Sequence, residues 1–266
     1  MVFIVKVPRA SGEISKGCEK AGNAILESLE EIYSNEQGSP IDANLLDLEE
    51  IHLDNSNAKL SNKLIYENSL EIFSEKSKTI FLGGDHSISY SIGRAFLDNC
   101  KNTKRKPCLI IFDSHADCMA SEKEPTYEEW LRKLIENGFP KENILLVGAR
   151  NMDKEEITFL KQNNIRMITM NQLLEDLQDT CDIIMEFSNG KELYVSVDVD
   201  VIDPAFAQAV AYKEPGGLTS RQFIYLIQRI NKIKNLRAVD IVNINPVKDR
   251  DNLTVKLGAK ILSELI

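Results

Sequence analysis

Cys108 to Asp117 reads C-L-I-I-F-D-S-H-A-D, and the rest of the chain is arranged around it. Four apolar residues, Leu109 to Phe112, stop abruptly at three potential metal ligands: Asp113, His115 and Asp117. An unbroken apolar run bounded by Pro107 and by polar residues predicts a strand buried on both faces. Such strands belong to parallel sheets, and open α/β sheets hold ligands beyond the carboxyl ends of their strands. The i, i+2, i+4 spacing turns the three ligands to one side of an extended chain. A straight strand, however, separates the outer two Cα atoms by roughly 13 Å. A compact cluster therefore requires a bend after Asp113. Alone, the stretch reads equally well as a buried strand followed by a solvated acidic loop.

Two other stretches repeat the layout. G-G-D-H-S, Gly83 to Ser87, follows the short apolar run 79–82 and leads into a helical pattern, which places His86 at the same sheet edge. Taken singly, His86 could equally be a hydrogen-bonded histidine at a helix start, and a phosphate-binding turn is disfavoured because no G-K-[ST] follows. S-V-D-V-D-V-I-D-P, Ser196 to Pro204, ends a further apolar run with Asp198 and Asp200 about 7 Å apart along the strand. Asp203-Pro204 reads as the turn that closes the element. Burying Asp113, Asp117, Asp198 and Asp200 together without cations is prohibitive. Two divalent ions balance the four carboxylates, with the histidines bound as neutral imidazoles. Mostly oxygen ligands with some imidazole point to Mn²⁺, and a pair of ions can acidify a shared water. The third histidine, His52, falls outside these motifs and reads as structural.

The surrounding pattern fits one large α/β domain over residues 1–266. Strand runs at 2–7, 79–82, 108–113, 144–147, 165–168, 193–199 and 238–242, with an ambiguous segment at 45–52, alternate with helical patterns. The helical patterns include 14–33, 58–73, 87–97, 153–162, 173–187 and 253–266. Thr126-x-x-Glu129 and Thr219-x-x-Gln222 are capping-box signatures that open two more. The net charge of −9 disfavours a nucleic-acid surface. Five cysteines with no C-x-x-C pair indicate a reducing cytoplasm without disulfides. No stretch reads as a signal peptide or a membrane span.

The three motifs, in this order and at these intervals, resemble the arginase/agmatinase (ureohydrolase) family. K-E-P-G-G-L-T (213–219) and D-I-V-N-I-N-P-V (240–247) resemble that family's later motifs. The resemblance implies a three-layer α/β/α sandwich, with a mainly parallel sheet of about eight strands, assembled as trimers or hexamers. It implies that His86, Asp113, Asp117 and Asp198 hold one metal ion, and that Asp113, His115, Asp198 and Asp200 hold the other. It further implies a bridging hydroxide that attacks the guanidinium carbon of an agmatine- or arginine-like substrate, with Asp117 steering it and passing a proton to the leaving amine. Glu214, Tyr212 and Asn243 fall at positions expected to meet substrate.

The chain departs from the family pattern in three places. The segment 118–130 lacks a histidine found there in related enzymes, with Tyr127 the nearest candidate to replace it. Tyr212-Lys213 replaces a Thr-Pro, and Asn243 stands where a glutamate is expected to grip the guanidinium. A weak guanidino hydrolase, a hydrolase of another amidine or amide, and a metal-binding relative without turnover are all compatible with these changes.

Overall fold

The computed structural model describes residues 2–120 and 124–266. Eight parallel strands form one sheet: β1 (Phe3–Val7), β2 (Asp47–Glu50), β3 (Thr79–Gly83), β4 (Pro107–Phe112), β5 (Ile144–Val147), β6 (Arg166–Ile168), β7 (Glu192–Asp198) and β8 (Leu236–Val242). Their spatial order is β2-β1-β3-β8-β7-β4-β5-β6. The two-residue alternation of strands sorts the side chains into two separate cores. Ile80, Leu82, Ile110, Phe112, Val195, Val197, Val239 and Ile241 face one. Phe81, Leu109, Ile111, Tyr194, Ala238 and Val242 face the other. The first core is covered by α1 (Ala21–Leu29), α6 (Met170–Glu175), α7 (Leu177–Ser188), α8 (Ser220–Ile230) and α9 (Leu253–Leu265). The second is covered by α2 (Ala58–Glu75), α3 (Ile88–Asn102), α4 (Trp130–Glu136) and α5 (Lys154–Asn163). This is the three-layer sandwich expected, with the ambiguous early segment forming edge strand β2.

Local chemistry sets the helix starts. Thr219 and Gln222 satisfy each other's backbone donors at the start of α8, and Asp153 and Glu156 do the same for α5. Two expectations shift. The helical pattern over 14–33 yields only a short 3-10 turn at Cys18–Lys20 and then α1, because residues 11–15 are pulled into loop contacts by Asp85. Its Oδ2 accepts from the Ser11 backbone N–H and, at 2.6 Å, from the Ser15 hydroxyl. At 126–129, Glu129 accepts from Thr126 N–H at 2.8 Å, but the helix begins only at Trp130.

The double glycine after β3 works through space rather than through unusual backbone angles. Neither Gly83 nor Gly84 has positive φ. A Cβ on Gly84 would lie 1.6 Å from the Arg9 carbonyl oxygen, and that carbonyl accepts from Asp85 N–H at 2.9 Å. The N-terminal loop therefore lies directly on the turn that presents His86.

Candidate metal centre

Strands β3, β8, β7 and β4 are consecutive neighbours in the sheet, so their carboxyl ends share one edge although they span some 160 residues of sequence. His86 comes off β3, Asn243 off β8, Asp198 and Asp200 off β7, and Asp113, His115 and Asp117 off β4. The bend after Asp113 is present: β4 stops at Phe112 and Asp117 has a left-handed backbone (φ 50°). It folds the third ligand back onto the first. His86 Nδ1 lies 3.0 Å from Asp113 Oδ2, 3.0 Å from Asp117 Oδ2 and 3.2 Å from Asp198 Oδ2. His115 Nδ1 lies 3.1 Å from Asp200 Oδ2 and 3.4 Å from Asp113 Oδ1. Two triads with converging ligand atoms thus share Asp113: His86/Asp113/Asp198 and Asp113/His115/Asp200.

The hydrogen bonds behind the cluster fix which atoms face it. Ser196 donates its one hydroxyl proton to Asp240 Oδ1 (2.8 Å), and Ser89 donates to Asp240 Oδ2 (2.7 Å). His86 Nε2, 2.9 Å from Ser196 Oγ, must therefore be the protonated nitrogen. Its Nδ1 lone pair is left pointing into the acids. Tyr194 and the Val197 N–H also donate to Asp240, which is fully buried. On the other side, Ser114 donates to Asp200 Oδ1 from both its hydroxyl (2.7 Å) and its backbone N–H (3.0 Å). His86 Nδ1 and Asp200 Oδ2 are buried and have no hydrogen-bond partner. Of the eight buried side-chain atoms without a partner among the described residues, these two are metal-ligating types and belong one to each triad. Hard carboxylate oxygens and imidazole nitrogens are a donor set that suits divalent first-row ions, so the residues present fit a pair of such ions.

The electrostatics of the bare chain carry the same demand for positive charge. Burial, and then the charge of Asp113, push the Asp117 carboxyl up to about 7. Burial and the charges of Asp200 and Asp113 drive Asp198 well above the usual carboxylate range. Burial opposes protonation of His115, but the adjacent carboxylates of Asp113 and Asp200 outweigh it and raise the imidazole to about 12. His86 is raised likewise by Asp113, Asp117 and Asp198 against its own desolvation. Protons gather where cations would relieve the repulsion.

The cluster floors a cavity of about 280 Å³. Tyr127, Glu128, Tyr212, Glu214 and Asn243 stand on its walls, while the side chain of His52 is 91% exposed and lies elsewhere. Lys213 is exposed and is not among the lining residues. Asn243 has φ 71°, a left-handed conformation that asparagine tolerates better than most residues. Its amide donates to both oxygens of Asp198, at 3.3 and 3.0 Å.

Several supporting residues escaped the reading of motifs. Trp130 Nε1 donates to Asp117 Oδ2 at 2.7 Å, and its ring lies 4.7 Å from that of His86. Glu156 caps α5 and also accepts from Cys118 N–H, tying that helix to the metal loop. Arg150 donates to the carbonyls of Asp200, Val201, Glu214 and Pro215, binding the Glu214 loop to the end of β7. Asp203 accepts from Ala205 N–H at 2.9 Å in the turn its Asp-Pro setting suggested, and it also grips the same loop through Gly216 N–H at 2.7 Å. A tryptophan at a helix start and an arginine on a loop carry no spacing signal; only their three-dimensional neighbours distinguish them.

The sequence pattern described as "Arginase family" matches residues 1–266. The chain belongs to the arginase family. Relatives include an agmatinase of Bacillus subtilis (strain 168), 29% identical over 230 residues, covering 85% of this chain and 75% of that protein. An arginase of Staphylococcus aureus (strain MRSA252) is 27% identical over 202 residues, covering 69% of this chain and 65%, just under two thirds, of that protein. Among solved structures, formimidoylglutamase from Bacillus subtilis subsp. subtilis str. 168 superposes with a TM-score of 0.89 at 25% identity, covering 99% of this chain and 85% of that one. This arginase-family chain is therefore a hydrolase relative by sequence and by fold. Among the described residues no helix is long and apolar enough to cross a membrane.

Proposed function

We propose that this chain hydrolyses a C–N bond of a small guanidino or amidino compound at a two-metal centre. The observation that supports this best is the pair of orphaned buried ligand atoms, His86 Nδ1 and Asp200 Oδ2, one in each of two triads joined through Asp113 at the floor of a cavity. His86, Asp113, Asp117 and Asp198 would hold one ion; Asp113, His115, Asp198 and Asp200 would hold the other. When bound, the ions supply a water acidic enough to serve as a nucleophile near neutral pH.

The chain's own groups do the rest. Asp117 has Oδ2 committed to Trp130 beside the ligand atom of His86, which leaves the other oxygen to orient the nucleophile's proton and then return it to the departing amine nitrogen. Asn243, whose amide nitrogen is spent on Asp198, offers its carbonyl oxygen to an N–H of the substrate's planar head group. Glu214, held by Asn151 at 2.7 Å, lies 3.6 Å from His115 Nε2 and keeps that imidazole oriented. Within the same reading the ions are Mn²⁺, the setting is cytoplasmic, residues 1–266 act as one catalytic domain, and the protein assembles as a trimer or hexamer, a state sedimentation would measure.

The test is product release by Mn²⁺-reconstituted protein offered agmatine, arginine, N-formimidoylglutamate and simple alkylguanidines. Urea, or formamide from a formimidoyl compound, is expected from at least one. Two bound ions with no product from any of them would reject the hydrolase reading. Asn243 supports a second reading, a substrate whose head group is an amidine rather than a guanidinium, because a single neutral acceptor stands where a carboxylate would take paired N–H donors, and an amidine has one nitrogen fewer to satisfy. Formamide without urea would favour it.

A further inference from the structure

The outer wall of the cavity carries a second piece of recognition chemistry. Tyr212, from the loop between β7 and α8, sets its ring edge-on to His115 with centroids 5.6 Å apart. Tyr127 comes from the turn before α4 and lies 6.3 Å from Tyr212, ring to ring. The Tyr212 hydroxyl donates to Glu128 Oε1 at 3.0 Å. The turn that bears Tyr127 and Glu128 is fixed at both ends, by Thr126 donating to Glu129 and by Met119 N–H donating to the Glu128 carbonyl at 3.1 Å. Two aromatic rings and a carboxylate from separate segments are thus held together beside the metal ligands.

The rest of the wall is acidic as well: Glu156 accepts from Cys118 and Asp153 N–H groups, one oxygen of Asp153 caps α5, and one oxygen of Glu214 accepts from Asn151. A phenol donor leaves the charge of Glu128 in place, and the described residues lining the cavity include no lysine or arginine. A cation in this corner gains the carboxylate and the ring faces together. A carboxylate there meets repulsion and finds no basic partner on the described wall.

We infer that Tyr127, Tyr212 and Glu128 form a tail subsite, and that Tyr212 and Glu128 select substrates whose non-reacting end is a cation, such as an aminoalkyl group, over those ending in a neutral or carboxylate group. This rests on the reading that the cavity takes a guanidino or amidino compound. It gives the replacement of Thr-Pro by Tyr212-Lys213 a function: the new side chain at 212 spans from His115 to Glu128.

The experiment compares agmatine, n-butylguanidine and 4-guanidinobutanoate as substrates of the Mn²⁺-loaded protein, in the parent and in Glu128→Gln and Tyr212→Leu. The parent should favour agmatine by kcat/KM. The agmatine-to-butylguanidine ratio should fall about tenfold in Glu128→Gln, the size of one lost ion pair in a half-buried setting, and less in Tyr212→Leu. A folding defect lowers both substrates alike and leaves the ratio standing, so an unchanged ratio in both variants overturns the subsite. So does a parent that prefers the neutral or carboxylate tail. If no guanidine is cleaved, the catalytic reading fails separately, and calorimetry with n-butylammonium decides the subsite. Binding that weakens about tenfold in Glu128→Gln supports it; equal binding in both proteins, or none, overturns it.

Discussion

His86 and Tyr212 line the same cavity, one on its floor and one on its wall. His86 is buried at the end of a central strand, its ring fixed by Ser196 and, through it, by Asp240. Tyr212 is half-buried on a loop, and its hydroxyl reaches one carboxylate on another loop. The floor of the site is rigid because strand ends and buried hydrogen bonds define it, and it holds the two triads that share Asp113. The wall is built from loops that tolerate exchange, and all three departures from the family pattern lie there or at the boundary. The comparison teaches that, on the proposed reading, the floor would set the class of reaction and the wall would set which molecule undergoes it.

The strongest way to break that division is at the shared ligand. Asp113→Ala removes an oxygen from both triads, so both ions should be lost together. We expect metal content in a dialysed sample to fall from two ions per chain to fewer than one, with product formation down by a factor of about a thousand or more, as removal of essential electrostatic groups typically gives. Retention of both ions would show that the floor does not depend on a common carboxylate.

Asn243 lies where floor and wall meet, and Asn243→Glu sharpens the distinction. The added carboxylate supplies a charged partner for a guanidinium, and restoring half of a buried charge-pair energy corresponds to about a tenfold gain in affinity. Against this, glutamate at φ 71° costs roughly 1 kcal/mol or more, and the donor to Asp198 is lost. The expected outcome is a KM for agmatine lower by about tenfold when both ions are present, together with a lower melting temperature in chelator. A KM that does not move would place head-group recognition elsewhere on the wall.

The smallest effect, and the most general, is in pH dependence. In metal-free protein, Asp117 raised to about 7 keeps a proton that the unfolded chain loses near pH 4, and His115 raised to about 12 keeps one that the unfolded chain loses near 6.5. The folded state binds more protons across that window, so its stability falls as pH rises from about 4 toward 12. Metal binding displaces the same protons, so Mn²⁺-loaded protein should gain stability between about pH 5 and 8. Melting curves with chelator and with excess Mn²⁺ should therefore slope in opposite directions. Parallel slopes would mean that the floor's carboxylates and imidazoles are not where the ions bind.

The convergence of the floor residues was legible in the sequence because each of them sits within a few residues of an apolar run. Leu109 to Phe112 announces β4, and Asp113 follows it directly. Trp130, Arg150 and Glu156 could not be read in this way. Each lies far along the chain from the group it serves: Trp130 thirteen residues from Asp117, Glu156 thirty-eight from Cys118 and Arg150 fifty from Asp200. The helical pattern over 14–33 misled for a related reason, since the serines at 11 and 15 answer to Asp85, some seventy residues away.

The sequence by itself determined the strands, the layers and the placing of histidines and aspartates at one sheet edge, because hydrophobic period and strand-end chemistry are local properties of the chain. Tertiary structure decided that β8 lies between β3 and β7, which brings Asn243 onto Asp198 and turns it from an acceptor in waiting into a donor. It also decided that Tyr127, Tyr212 and Glu128 meet. Strand order and loop-to-loop contact depend on how separate segments cover one another's apolar surface, and no window of neighbouring residues carries that information.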